Sequence, residues 1–349
     1  MKKLFISVLA VAAAVACTKT NVDFEQPAEI GFSPVAAMSS KAAINNGVYP
    51  AGQPIGIWSN YDGGIAADQT PNYTTNFKTA YLEDAKFIYK QDVEGKNAWG
   101  GETAYYWPTN GSLVFAGYSM PASGSVGTSR SYDFASDKMT ITGYTQSDQT
   151  ASTFDLLWFG RTEKSYNYRN ATKAVPVTFK HALSWITIKV QGDATSTSAT
   201  NPWKITSVVM NDVNTVGDAE LTASATDPVV WKNWAAPKDM TIFTGAKPLT
   251  TSAATSDATI ETTENGTVVI PQKPLQLTVT YTYKTPANVD ITETKTVALK
   301  LTADENDTNN VWKGGVHYTY TLTFKSNEIL VAPTVSEWTE ETVPGVTVE

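Results

Sequence analysis

Leu275-Gln276-Leu277-Thr278-Val279-Thr280-Tyr281-Thr282-Tyr283 alternates apolar and polar residues without a break. Successive side chains of an extended strand point to opposite faces, so Leu275, Leu277, Val279, Tyr281 and Tyr283 share one face. Glutamine and threonine take the other. Val316-His317-Tyr318-Thr319-Tyr320-Thr321-Leu322-Thr323-Phe324 repeats the pattern. Period-two patterning with one buried face belongs to antiparallel sheets, and two such sheets must cover one another. The expectation is an all-β antiparallel sandwich with very little helix. Its core should take Phe179, Leu183, Ile188, Leu277, Val279, Tyr320 and Leu322.

Outward from these segments the same composition persists. Residues 175–190 form a longer apolar run in which Trp185-Ile186 breaks strict alternation, marking a bulge or a strand buried on both sides. Residues 78–90 carry charges but also Tyr81, Phe87, Ile88 and Tyr89, and read as strand. From Glu29 onward Thr, Val and aromatic residues stand between Gly, Asn and Pro turns, with Asn265-Gly266 a hairpin signal. Polar stretches at 135–153, 193–200 and 250–259 read as loops. The domain seam falls near 166–172, giving domains 29–170 and 171–349. The chain length suits two domains with cores of their own.

The N-terminus sets the compartment. Met1-Lys2-Lys3 precedes an apolar stretch that ends at Cys17, the one cysteine of the chain. The stretch is too short to span a bilayer and reads as a signal peptide over 1–16. It resembles a lipoprotein signal, with cleavage leaving Cys17 as the lipidated first residue. Residues 17–28 then form a polar tether. The chain carries 26 Lys and Arg against 34 Asp and Glu, a formal charge of −8, which argues against nucleic acid as a partner.

Catalytic chemistry has no visible set. The two histidines, His181 and His317, lie far apart inside strand-like segments and read as structural residues bonded to nearby oxygens. Asp304-Glu305-Asn306-Asp307 lacks calcium-loop spacing and reads as a solvated turn. No catalytic residue, metal site or cofactor is expected. Aromatic residues are abundant, and Trp203, Trp231 and Trp234 lie in loop-rich surroundings. Core packing accounts for most of them. Trp231 and Trp234, set among Lys232, Asn233 and Pro237, are the candidates for a surface that binds a host or bacterial ligand.

Ordered blocks carry a resemblance. They are Glu29-Ile30-Gly31-Phe32-Ser33, Ala51-Gly52-Gln53-Pro54-Ile55-Gly56-Ile57-Trp58 and Glu102-Thr103-Ala104-Tyr105-Tyr106-Trp107-Pro108. Asp155-Leu156-Leu157-Trp158, Val177-Thr178-Phe179-Lys180-His181-Ala182-Leu183 and Val268-Val269-Ile270-Pro271-Gln272 follow. Trp312-Lys313-Gly314-Gly315-Val316-His317-Tyr318-Thr319-Tyr320 and Val335-Ser336-Glu337-Trp338 close the series. In order and spacing the chain resembles the fimbrillin-like lipoproteins of Bacteroides, subunits of type V pili.

The resemblance implies two transthyretin-like sandwiches in tandem, export to the outer membrane, and a structural role in an adhesive fimbrium. It also implies assembly by strand addition: a missing first strand leaves open backbone and an apolar groove, which the next subunit fills. Ile30 and Phe32 then belong to the removable strand, and Val346 and Val348 to the donor. The first arginine is Arg130, so the N-terminal cut falls to Lys41, the one basic residue between Lys19 and Lys78. The alternative is a monomeric surface lipoprotein that binds glycan or protein through exposed aromatics.

Overall fold

The computed structural model describes residues 28–34, 53–64, 72–91, 97–121, 126–146, 154–165, 174–197, 200–250, 259–260, 266–301, 310–325 and 329–337. Strands are numbered in chain order. Among the described residues all regular structure is β, as the alternating segments require.

The first sheet contains β1 (Gly31–Pro34), β2 (Ile55–Tyr61), β3 (Thr79–Gln91), β4 (Asn97–Gly101) and β5 (Ser112–Ser119). It also takes β8 (Leu157–Ser165), β9 (Val175–Val177) and β10 (Lys180–His181). Their order is β10-β8-β5-β2-β3-β4-β1-β9. β8 and β1 stand five places apart, about 24 Å in a flat sheet. Yet the rings of Phe159 in β8 and Phe32 in β1 have centroids 6.5 Å apart. The sheet is therefore curled, and its concave face holds an aromatic core that includes Phe32, Phe87, Phe115, Phe159 and Phe179.

The second sheet pairs β6 (Ser129–Asp133) and β7 (Lys138–Thr145) with β12 (Lys204–Thr222), β16 (Gln276–Lys284) and β17 (Asp290–Ala298). Its order is β17-β16-β12-β7-β6, and β13 (Val229–Pro248) lies along the other side of β12. The third sheet contains β11 (Ser184–Gly192), β14 (Thr259–Ile260), β15 (Thr267–Val269), β18 (Val316–Phe324) and β19 (Ile329–Glu337). Its order is β14-β11-β18-β19, with β15 also on β11.

Three apolar cores result. The second and third sheets enclose Ile186, Ile188, Leu277, Val279, Tyr320 and Leu322. The convex face of the first sheet, through Trp58, Tyr118 and Trp158, packs with Ile141, Leu183, Leu221 and Trp231. β12 serves two of them. Ile205, Val208, Met210 and Val213 enter one core, while Ala219 and Leu221 enter the other. Every core residue expected from the sequence is buried.

Three expectations change. Residues 138–145 of the expected 135–153 loop form β7. The sheets are mixed: β11 and β18 run parallel from Trp185↔His317 to Gly192↔Phe324, and β1 runs parallel to β9. Parallel neighbours need a long crossover, and between β11 and β18 the chain builds most of the second sheet. Alternation alone cannot separate parallel from antiparallel pairing when one face is buried. The Asn265-Gly266 signal does not join a hairpin either, because β14 and β15 both pair with β11. Trp185-Ile186 is the two-sided case, since β11 holds an unbroken register with β18 there. Strand pairing also crosses residue 170: β9 and β10 join the first sheet, and β7 pairs with β12.

Candidate functional site

Residues 28–34 thread between two parts of the first sheet. Trp107 N donates to Ala28 O at 3.0 Å and Ile30 N donates to Tyr105 O at 2.8 Å. Glu29 bridges Tyr106. Gly31 and Phe32 then face Gly100 and Trp99 of β4, while Phe32, Ser33 and Pro34 face Val175, Pro176 and Val177 of β9. A Cβ at Gly31 would come within 3.3 Å of Trp99 O, so the close approach of β1 and β4 favours glycine there. Among the described residues of 29–170 β1 pairs with β4; its other neighbour, β9, comes from 175–177.

Ile30 and Phe32 both point into the concave core, as their spacing requires, and are 1% and 0% exposed. The Phe32 ring meets Phe87 and Phe115 edge-on, with centroids at 5.0 and 5.2 Å and planes at 85°. Phe159 and Phe179 pack edge-on at 5.3 Å behind them, and Trp99 meets Phe179 at 5.8 Å. Burying side chains of this size contributes about 1.5–3 kcal/mol each. Taking β1 away would bare backbone groups of β4 and β9 and an aromatic-walled groove. Such a groove accepts an extended segment carrying apolar residues two apart.

Of the other expected site residues, Cys17, Lys41, Val346 and Val348 lie outside the described residues. Trp231 needs correction. It is 5% exposed, its indole Nε1 donates to Ala182 O at 2.9 Å, and its ring meets Tyr144 at 5.2 Å. The polar residues after it lie on exposed positions of β13, whereas Trp231 turns inward, so it offers no surface to a ligand. Trp234 is 46% exposed, with Nε1 donating to Pro271 O at 2.9 Å. The two indoles do not form one surface.

The histidines are structural. His317 stacks on Trp185 with centroids 3.5 Å apart, and its Nε2 lies 3.0 Å from Thr187 Oγ1. His181 Nδ1 lies 2.7 Å from Asp155 Oδ2, and the two side chains are 4% and 0% exposed. Burial, with the Asp155 charge beside it, pushes the Tyr144 hydroxyl well above the usual tyrosine range. Ser119 Oγ donates to Asp155 O at 3.0 Å and accepts from Leu157 N at 2.9 Å. Asp155 was not legible as a partner, because it lies just before β8 and meets His181 of β10 only through the fold, with no spacing rule to join them. The same holds for Asp84, which accepts from Arg130 at 2.7 and 3.1 Å and from Tyr118 at 2.7 Å.

The fimbrillin-like family profile matches residues 41–338, most of the chain. Among solved structures, a fimbrial protein from Bacteroides vulgatus superposes with a TM-score of 0.57 at 17% identity, covering 89% of this chain and 100% of that one. A candidate cell adhesion protein from Bacteroides uniformis superposes with a TM-score of 0.51 at 15% identity, covering 90% of this chain and 99% of that one. At such identities the likeness speaks for the fold. No curated protein matches the chain. The ordered sequence blocks and the profile agree, and the chain belongs to the fimbrillin-like family.

Proposed function

We propose that this protein is a non-catalytic structural subunit of an adhesive surface fimbrium, joined to its neighbours by strand addition. The observation that carries this reading is the seat of β1. Phe32 of the four-residue strand and Ile30 just before it are both fully buried, and removal of this segment would leave a groove shaped for another strand. Family membership supports the same role.

The finer reading has the chain built as two transthyretin-like sandwiches in tandem, 29–170 and 171–349, which exchange strands at the seam. It has residues 1–16 removed, Cys17 lipidated in the outer membrane with 17–28 as tether, and a later cut after Lys41 that frees β1. Several acyl chains together anchor a soluble domain stably. The donor is the C-terminal tail, through Val346 and Val348. The edge position of β19 supports a role for this end in assembly: its Leu330 and Val335 are large, apolar and exposed.

N-terminal sequencing of surface-extracted protein, with gel analysis for heat-labile ladders, tests the reading. A terminus at Ala42 and a ladder abolished by deleting 341–349 are expected. A terminus at Cys17 with no ladder would remove the strand-addition reading, leaving a lipid-tethered monomer.

A further inference from the structure

Three tyrosines crowd one end of the first sheet, where β2 and β3 meet the 102–111 loop. The Tyr61 and Tyr81 rings have centroids 6.4 Å apart and planes inclined at 49°. Tyr81 sits where the β2–β3 register shifts, between the Ser59↔Leu82 and Asn60↔Ala80 pairs, which lifts it from the regular ladder. Its hydroxyl donates to Tyr106 O at 2.5 Å, and the Tyr61 hydroxyl donates to Asn110 Oδ1 at 2.7 Å. Tyr81 and Tyr106 are nonetheless 37% and 41% exposed.

These hydroxyls are engaged inside the protein, so the Tyr61 and Tyr81 rings are held while ring surface stays in water. Exposed aromatic surface that is already ordered binds a partner without a large entropy cost. The exposed amide of Asn110 presents Nδ2 beside them as a donor. Two exposed acids adjoin this end, Glu29 opposite Tyr106 and Glu83 two residues after Tyr81, against Lys78 three residues before Tyr81. Carboxylated and sulfated ligands are disfavoured by that balance. A neutral pyranose suits it, because one face of the ring carries C–H groups that lie on an aromatic ring and its rim carries hydroxyls for amide donors.

We infer that Tyr61, Tyr81 and Tyr106, with Asn110, form a binding platform for neutral pyranose residues of a surface glycan. The inference gives the adhesive role a ligand class and rests on that role, but it does not depend on strand addition.

The test is an array of neutral hexoside-terminated, sialylated and sulfated glycans probed with the whole mature chain, with ladder formation followed in parallel. Binding to neutral hexosides is expected, weakened roughly tenfold by Tyr81→Ala with Tyr106→Ala, with the ladder unchanged. Tyr106→Ala alone leaves the carbonyl that Tyr81 uses, and keeps the test clear of misfolding; it too should weaken binding. No binding, binding confined to acidic glycans, or neutral binding indifferent to Tyr106→Ala would overturn the platform. Loss of the ladder with glycan binding intact would instead count against strand addition.

Discussion

The ring of Phe32 meets Phe87 edge-on, centroids 5.0 Å apart, in a core whose walls come from strands distant in the sheet. That contact ties the N-terminal strand to the fold. Phe32→Ala should destabilise the unprocessed monomer by about 3–5 kcal/mol, because a fully enclosed ring leaves a cavity. Urea denaturation of the precursor measures it. Processed subunits in a fibre no longer contain β1 on this account, so fibres of the variant should melt like wild type. An equal loss in both states would mean that β1 stays in place.

The pair His181 and Asp155 gives a second expectation. His181→Ala leaves a buried carboxylate without its partner and should cost about 3–5 kcal/mol. Replacing both residues by alanine should cost clearly less than the two single losses added together, since the double change leaves no unpaired charge. Denaturant melts of the four proteins give the coupling. Strict additivity would show that the two groups do not depend on each other.

What the sequence made legible, and what it hid, follows from range. Alternation is local, so 275–283 and 316–324 read as strands and their inward residues as core. The strand reading of 78–90 holds as β3. Parallel pairing of β11 with β18, and the reach of β12 into two cores, depend on contacts far apart in sequence and carry no local mark. Trp231 misled for a related reason. Its neighbours Lys232 and Asn233 are polar because β13 is exposed there, while Trp231 itself alternates inward. The seat of Ile30 and Phe32 was legible because their spacing puts both on one face.

Because β12 passes from one core into the next, the two should lose structure together. Leu277→Ala, in the core between the second and third sheets, and Leu183→Ala, in the core behind the first sheet, should each cost about 2–5 kcal/mol. Calorimetry should show one transition moving down in both variants. Two transitions, each responding to one substitution, would show that the cores melt independently.

Acid should weaken the second sheet through Glu293. Hydrogen bonds from Tyr281 and Tyr283, at 2.7 and 2.9 Å, hold its carboxyl below the usual glutamate range. A depressed folded value means stability that is present above the unfolded value of about 4.3 and lost as pH falls through the folded one. Glu293→Gln should flatten the acid limb of a melting-temperature profile. The effect is small, because the carboxylate is partly exposed and screened. An unchanged acid limb would place the loss elsewhere.

The departure of β1 is the central claim, and a disulfide tests it most directly. Gly31 and Gly100 are directly opposed on β1 and β4, and a bridge between Gly31→Cys and Gly100→Cys joins them once the backbone at Trp99 O gives by a few tenths of an ångström to admit the new Cβ. Processing after Lys41 would then leave the N-terminal fragment attached. The oxidised variant should stay monomeric on heat-labile ladder gels, and reduction should restore the ladder. A full ladder formed while the disulfide is intact would contradict the account.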